Sequence, residues 1–229
     1  VLLIHGLIKV CLQYQIKPTT ILLIVLNFYV IVMLTGAERL KIAYLFLLWS
    51  VYFRGTFRYV FFSFSLLSHL QIFTLLPAIA VIYYYDDFIS VTTRLKIKKT
   101  TLIQLSFLIP MLLAMAVFLW EPILSKGLEY MEDYGSFLEL LNITLLIIIT
   151  LVVLKNNRVR ATLAILSFFP FVFLLGGMRV NMLAVTVAIY FFMIENRMSH
   201  PAVILLMLYF IAKSVEFIAN IFIHGNGFA

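Results

Sequence analysis

Apolar runs long enough to cross a bilayer recur from one end of this chain to the other, and that repetition constrains its fold more than any other feature. A helix needs about 20 mostly apolar residues to traverse the hydrocarbon core. Nine stretches reach or approach that length, at 1–16, 19–36, 40–53, 57–85, 101–120, 137–154, 161–176, 178–195 and 201–223. Those at 101–120, 137–154 and 201–223 are the clearest. The first is interrupted by Lys9, Gln13 and Gln15, and the third is short. The fourth is longer than one crossing and must tilt or kink near Pro77, while Pro110 and Pro170 predict kinks in the fifth and seventh. With 64% hydrophobic and 12% charged residues, the chain lacks the polar side chains that a water-facing surface requires. The expected fold is all-α: a polytopic transmembrane helical bundle of about nine spans with short loops, one integral-membrane domain over 1–229.

Several chemistries are excluded early. The single cysteine, Cys11, allows neither an intramolecular disulfide nor a cysteine-rich metal site. His5 and His69 are isolated, and no metal-ligand spacing is present, so no metal or cofactor is expected. Asp86-Asp87 suggests the aspartate pair of a prenyl-diphosphate enzyme, yet no second acidic motif accompanies it. Asn142-Ile-Thr144 matches a glycosylation acceptor but falls inside an expected span. The net charge of +7 does not imply nucleic acid, because membrane proteins gather Lys and Arg in cytoplasmic loops. The chain opens on Val1 and lacks the order of a cleavable signal peptide, so it reads as a fragment or processed chain with N-terminal helices missing.

The basic loops set an orientation. Arg94, Lys96, Lys98 and Lys99 form one cluster, and Lys155, Arg158 and Arg160 another. Two spans separate them, so both share a side, and the positive-inside rule makes it cytoplasmic. Arg39, Lys41 and Arg197 then also fall inside, which makes ten basic residues there against five outside: Lys17, Arg54, Arg58, Lys126 and Arg179. The N-terminus is placed inside and the C-terminus outside.

The external arginines run against that trend. Arg54 and Arg58 lie in Phe53-Arg-Gly-Thr-Phe-Arg58, between the third and fourth spans; Arg179 lies in Gly176-Gly-Met-Arg-Val-Asn181, between the seventh and eighth. The fourth and eighth spans both begin on the outside and present free N–H groups and the positive end of the helix dipole there. An arginine beside a helix N-terminus is unfavourable for the helix alone but sensible if a phosphate or pyrophosphate sits between them. The alternative is that each arginine reaches to lipid headgroups.

In the last span Lys213, Glu216 and Asn220 share one face at spacing i, i+3, i+7, and His224 continues it. A charge at that depth demands a Lys213–Glu216 pair or a water-filled cavity. Such a polar stripe is either a structural intrahelical pair or the lining of an outward-facing cleft, with Glu216 or His224 as candidate general base. The loop 121–136 holds Glu129, Glu132 and Asp133, which suit either acid–base chemistry or an interfacial amphipathic helix.

The stretches Gly177-Met-Arg-Val-Asn-Met-Leu-Ala184, Tyr209-Phe-Ile-Ala-Lys-Ser-Val-Glu-Phe217 and Asn220-Ile-Phe-Ile-His-Gly-Asn-Gly-Phe228 resemble the C-terminal part of bacterial O-antigen polymerases, of the Wzy-type and EpsG-like polysaccharide polymerases. The resemblance covers about the last 55 residues. It implies an enzyme of lipopolysaccharide and polysaccharide biosynthesis in the bacterial inner membrane, working at the periplasmic face. Such an enzyme moves a growing glycan from undecaprenyl pyrophosphate onto the next lipid-linked repeat unit, alongside membrane lipids and a chain-length regulator protein. On that reading Arg179 with Arg54 or Arg58 holds the pyrophosphate and Lys213 and Asn220 line the binding stripe. Asn181 and Asn226 hydrogen-bond phosphate or sugar, and Glu216 or His224 takes the acceptor proton. Two rivals remain: a transporter or flippase for a lipid-linked sugar or small anion, and an O-antigen ligase. A transporter needs a polar path to both faces, and a ligase needs a large external loop. An ion channel lacks its filter loop and acidic ring.

Overall fold

The structure, a computed structural model, describes residues 1–36, 38–94, 137–175 and 177–225. The expected fifth span with Pro110, the loop 121–136, Lys96, Lys98, Lys99 and Asn226 lie outside the described residues. Every regular element among the described residues is helical. In order they are α1 (Leu2–Gln13), α2 (Pro18–Val25), α3 (Phe28–Thr35), α4 (Glu38–Tyr52), α5 (Thr56–Ser68), a 3-10 helix (Leu70–Thr74) and α6 (Leu75–Arg94). They continue as α7 (Phe137–Val153), α8 (Arg158–Leu166), α9 (Phe169–Leu175), α10 (Gly177–Ile194) and α11 (Pro201–His224). The chain divides into two compact units, 1–73 with 152–156 and 189–229, and 74–151 with 157–188.

In the first unit, α4 packs between α1 and α5. The α4–α5 contact is aromatic: Phe53 stacks on Phe61 at 5.3 Å between ring centroids, and Phe46 meets Phe64 at 5.6 Å. The buried Ser65 hydroxyl donates to the Ala43 carbonyl at 2.7 Å, which satisfies a polar group that the apolar interior could not otherwise hold. Gly55 lets the chain reverse between the two helices, because its φ of +67° lies where L-residues with a Cβ are strained. On the other side α11 packs against α2 and α3.

In the second unit α6 lies beside α8. Arg160 of α8 forms an ion pair with Asp86 of α6, and its guanidinium sits 5.2 Å from the centre of the Tyr85 ring. The Asp86-Asp87 motif thus ties one helix to another. Along α7, Ile143, Leu146, Thr150 and Val153 are buried, whereas Leu141, Leu145, Ile148 and Val152 are exposed. The outward face is as apolar as the inward one, which is the pattern of a helix made for a non-aqueous surrounding.

Among the described residues two helices are long and apolar enough to cross a membrane, α10 and α11, with a third crossing if α2 and α3 count as one bent segment, fewer than the about nine spans expected. Three of the expected spans among the described residues are broken instead of continuous. The run 19–36 bends by 53° between α2 and α3. The run 57–85 breaks at His69–Thr74, not near Pro77, because Pro77 is the third residue of α6, within the first turn, where a missing N–H costs nothing. The run 161–176 ends α8 at Leu166 and restarts α9 at Phe169. Pro170 explains this break: it can neither bond to nor avoid the carbonyl of residue 166, four residues earlier.

Candidate functional site

Two of the three arginines expected in outer turns occupy matching places. Arg58 and Arg179 are each the third residue of their helix, α5 and α10. Arg179 is exposed, Arg58 is half-buried, and Arg54 is exposed in the turn before α5. A cation in the first turn opposes the helix dipole by about 0.3–1 kcal/mol. Asn181, two residues after Arg179, is fully buried. Two residues on an α-helix are about 200° apart, so Arg179 and Asn181 serve opposite sides of α10.

The stripe on the last span is carried by an unbroken helix. α11 begins with Pro201 at its first position, where the fixed φ favours helix entry, and is closed by Gly225 in the left-handed conformation. Its buried face is Val203, Leu206, Met207, Phe210, Ser214 and Phe217. Lys213 and Asn220 are half-buried on the flank of that face, and Glu216 and His224 are exposed. Of the two alternatives open for these charges, the Lys213–Glu216 pair does not form. The Lys213 ammonium lies over the Tyr209 ring at 5.3 Å and near that of Phe28 at 6.0 Å, held by the negative faces of the aromatics. His224, the last residue of α11, is placed where a cation complements the dipole.

The break between α2 and α3 is the feature that sequence reading passed over. Asn27, 1% exposed, caps α3 by accepting from the Tyr29 N–H at 3.0 Å, and its amide donates to the Met207 sulfur at 3.6 Å. The Ser214 hydroxyl donates to the Leu26 carbonyl at 2.9 Å, at the very bend. Phe28 and Tyr29 pack edge-on against Phe217 and Phe210. In a non-aqueous surrounding a broken helix persists only where neighbours satisfy the freed backbone groups, and α11 does so here. The signal available was Asn27 itself, a strong helix-capping residue in mid-run. Asn27→Leu is expected to cost about 1–2 kcal/mol in denaturant unfolding of the purified protein, whereas Asn27→Ser, which can still cap, recovers most of it.

One further clasp sits at the end of α10. The Glu195 carboxylate accepts from the backbone N–H groups of Lys155 at 2.9 Å and Asn156 at 3.1 Å, so the basic turn after α7 is anchored by an acid. Among the described residues no group of three His, Cys, Asp or Glu side chains could hold a metal ion. No protein-family model, no curated protein and no solved structure matches the chain.

Proposed function

We propose that this chain is a multi-pass protein of the bacterial inner membrane that polymerises O-antigen repeat units at the periplasmic face. In that reading about nine segments cross the bilayer, some as broken helices, with the N-terminus inside. The acceptor sugar hydroxyl attacks the anomeric carbon of the donor glycan. The bond from that carbon to the pyrophosphate oxygen breaks, undecaprenyl pyrophosphate leaves with the electron pair, and the hydroxyl proton passes to Glu216 or His224. Arg179, with Arg54 or Arg58, stabilises the leaving pyrophosphate, which carries more charge as the bond breaks. Asn220 and Asn226 contact phosphate or sugar, whereas Asn181, buried on the side of α10 away from Arg179, and Lys213, seated on the Tyr209 and Phe28 rings, are left out of the site.

The observation that supports this reading best is the exposed Arg179 in the first turn of α10, a cation set where the helix alone disfavours one. The reading is tested by lipopolysaccharide banding in a deletion strain carrying this gene or an empty vector. The expected result is a ladder with the gene and core plus a single repeat unit without it. Loss of all repeat-bearing material in the empty strain would instead identify a flippase or a ligase.

A further inference from the structure

From α11 we infer that the chain pairs with a second copy of itself through this helix, with Glu216 at the centre of the contact. The outward side of α11 carries Leu205, Tyr209, Ala212, Glu216, Ala219 and Ile223, all exposed. They form two interleaved seven-residue repeats, Leu205–Ala212–Ala219 and Tyr209–Glu216–Ile223, the heptad pattern that keeps one seam of a helix facing a partner. The small residues Ala212 and Ala219 stand one turn below and one turn above Glu216, where they let two backbones approach.

Charge says what covers this seam. α11 has 24 residues, so Glu216 lies about 5 Å along the axis from its midpoint. Far from both ends of a membrane-crossing helix, a carboxylate turned outward is costly unless a cation meets it. Lys213 of the same helix does not, because its ammonium rests on the Tyr209 and Phe28 rings. Yet Tyr209 is itself a seam residue, so Lys213 is held at the edge of the seam.

In a parallel two-fold pair each Glu216 stands beside its counterpart. Side chains on a helix lean toward its N-terminus, which brings each carboxylate back over the level of residue 213 of the other copy. Two carboxylates and two ammonium groups then form a neutral cluster inside the bilayer. The pairing depends only on α11 crossing the membrane and is independent of the polymerase reading. It does sharpen that reading, because it leaves His224 as the candidate for the acceptor proton.

The test is oxidative cross-linking of the full chain in native membranes. The natural Cys11 is buried and provides the zero. Ala212→Cys and Ala219→Cys are expected to give a disulfide-linked dimer, and Ile218→Cys, exposed but off the seam, none. Adding Glu216→Lys to Ala212→Cys should abolish the dimer, and adding Lys213→Glu to that should restore it. The pairing is overturned if neither seam variant cross-links while present in the membrane, or if Ile218→Cys links equally well. It is also overturned if the linked product contains a different protein. A dimer unchanged by Glu216→Lys would overturn the central role of the charge cluster.

Discussion

If the chain polymerises O-antigen as proposed, Arg179→Ala is expected to abolish the polysaccharide ladder while the protein is still inserted at the parental level. Removing one preorganised donor to a developing anion costs about 10²–10³-fold in turnover. Arg179 is exposed in the first turn of α10, so its removal opens no cavity in the interior. Taking a cation from a helix N-terminus even returns about 0.3–1 kcal/mol to the helix. Arg179→Lys should restore the ladder only in part. It keeps the charge but loses the planar fork that grips two phosphate oxygens together. The combination is diagnostic: a purely structural arginine, or one that merely reaches to headgroups, would show no such split. An unchanged ladder from Arg179→Ala at normal expression would remove the pyrophosphate assignment.

The second large effect belongs to the interior of the same helix. Phe192 has no exposed surface, and Phe191 before it has almost none. Phe192→Ala is expected to destabilise the protein by about 3 kcal/mol, the low end of the cost of emptying an aromatic site. The low end applies because in lipid the unfolded reference is also apolar, so mainly the lost packing contacts count. Phe222→Ala, at a side chain 85% exposed, should stay within about 0.5 kcal/mol. Denaturant titration of the two purified variants checks both values. Equal losses would mean that Phe222 is covered in the working protein by something the single chain lacks.

Where the chain carries its own boundary residues, element and sequence agree closely. The expected run 201–223 forms α11 from Pro201 to His224, because proline opens that helix and Gly225 closes it. The expected run 178–195 forms α10, Gly177–Ile194. The arginine placements were equally legible, since a turn between two apolar runs puts Arg58 and Arg179 at helix starts whatever the packing. The breaks were less legible. Apolar periodicity is identical for one long helix and for two short ones in series, so the run 19–36 gave no sign of a bend apart from Asn27. The Lys213–Glu216 pair failed for a related reason: spacing puts two side chains on one face but not which neighbour each prefers, and Lys213 found aromatic rings.

A chain this apolar lacks the side chains of a water-faced domain, and its long unbroken apolar runs, in place of the short alternating segments of a barrel, call for helices, whose backbone groups bond within their own segment; that much follows from the residues alone. The tertiary structure decided where those helices stop. At the bend between α2 and α3, the Ser214 hydroxyl and the Asn27 side chain supply the hydrogen bonds that a continuous helix would have made internally. The Asn27 cap is local, but Ser214 and Leu26 are 188 residues apart in the chain, and only folding brings them together.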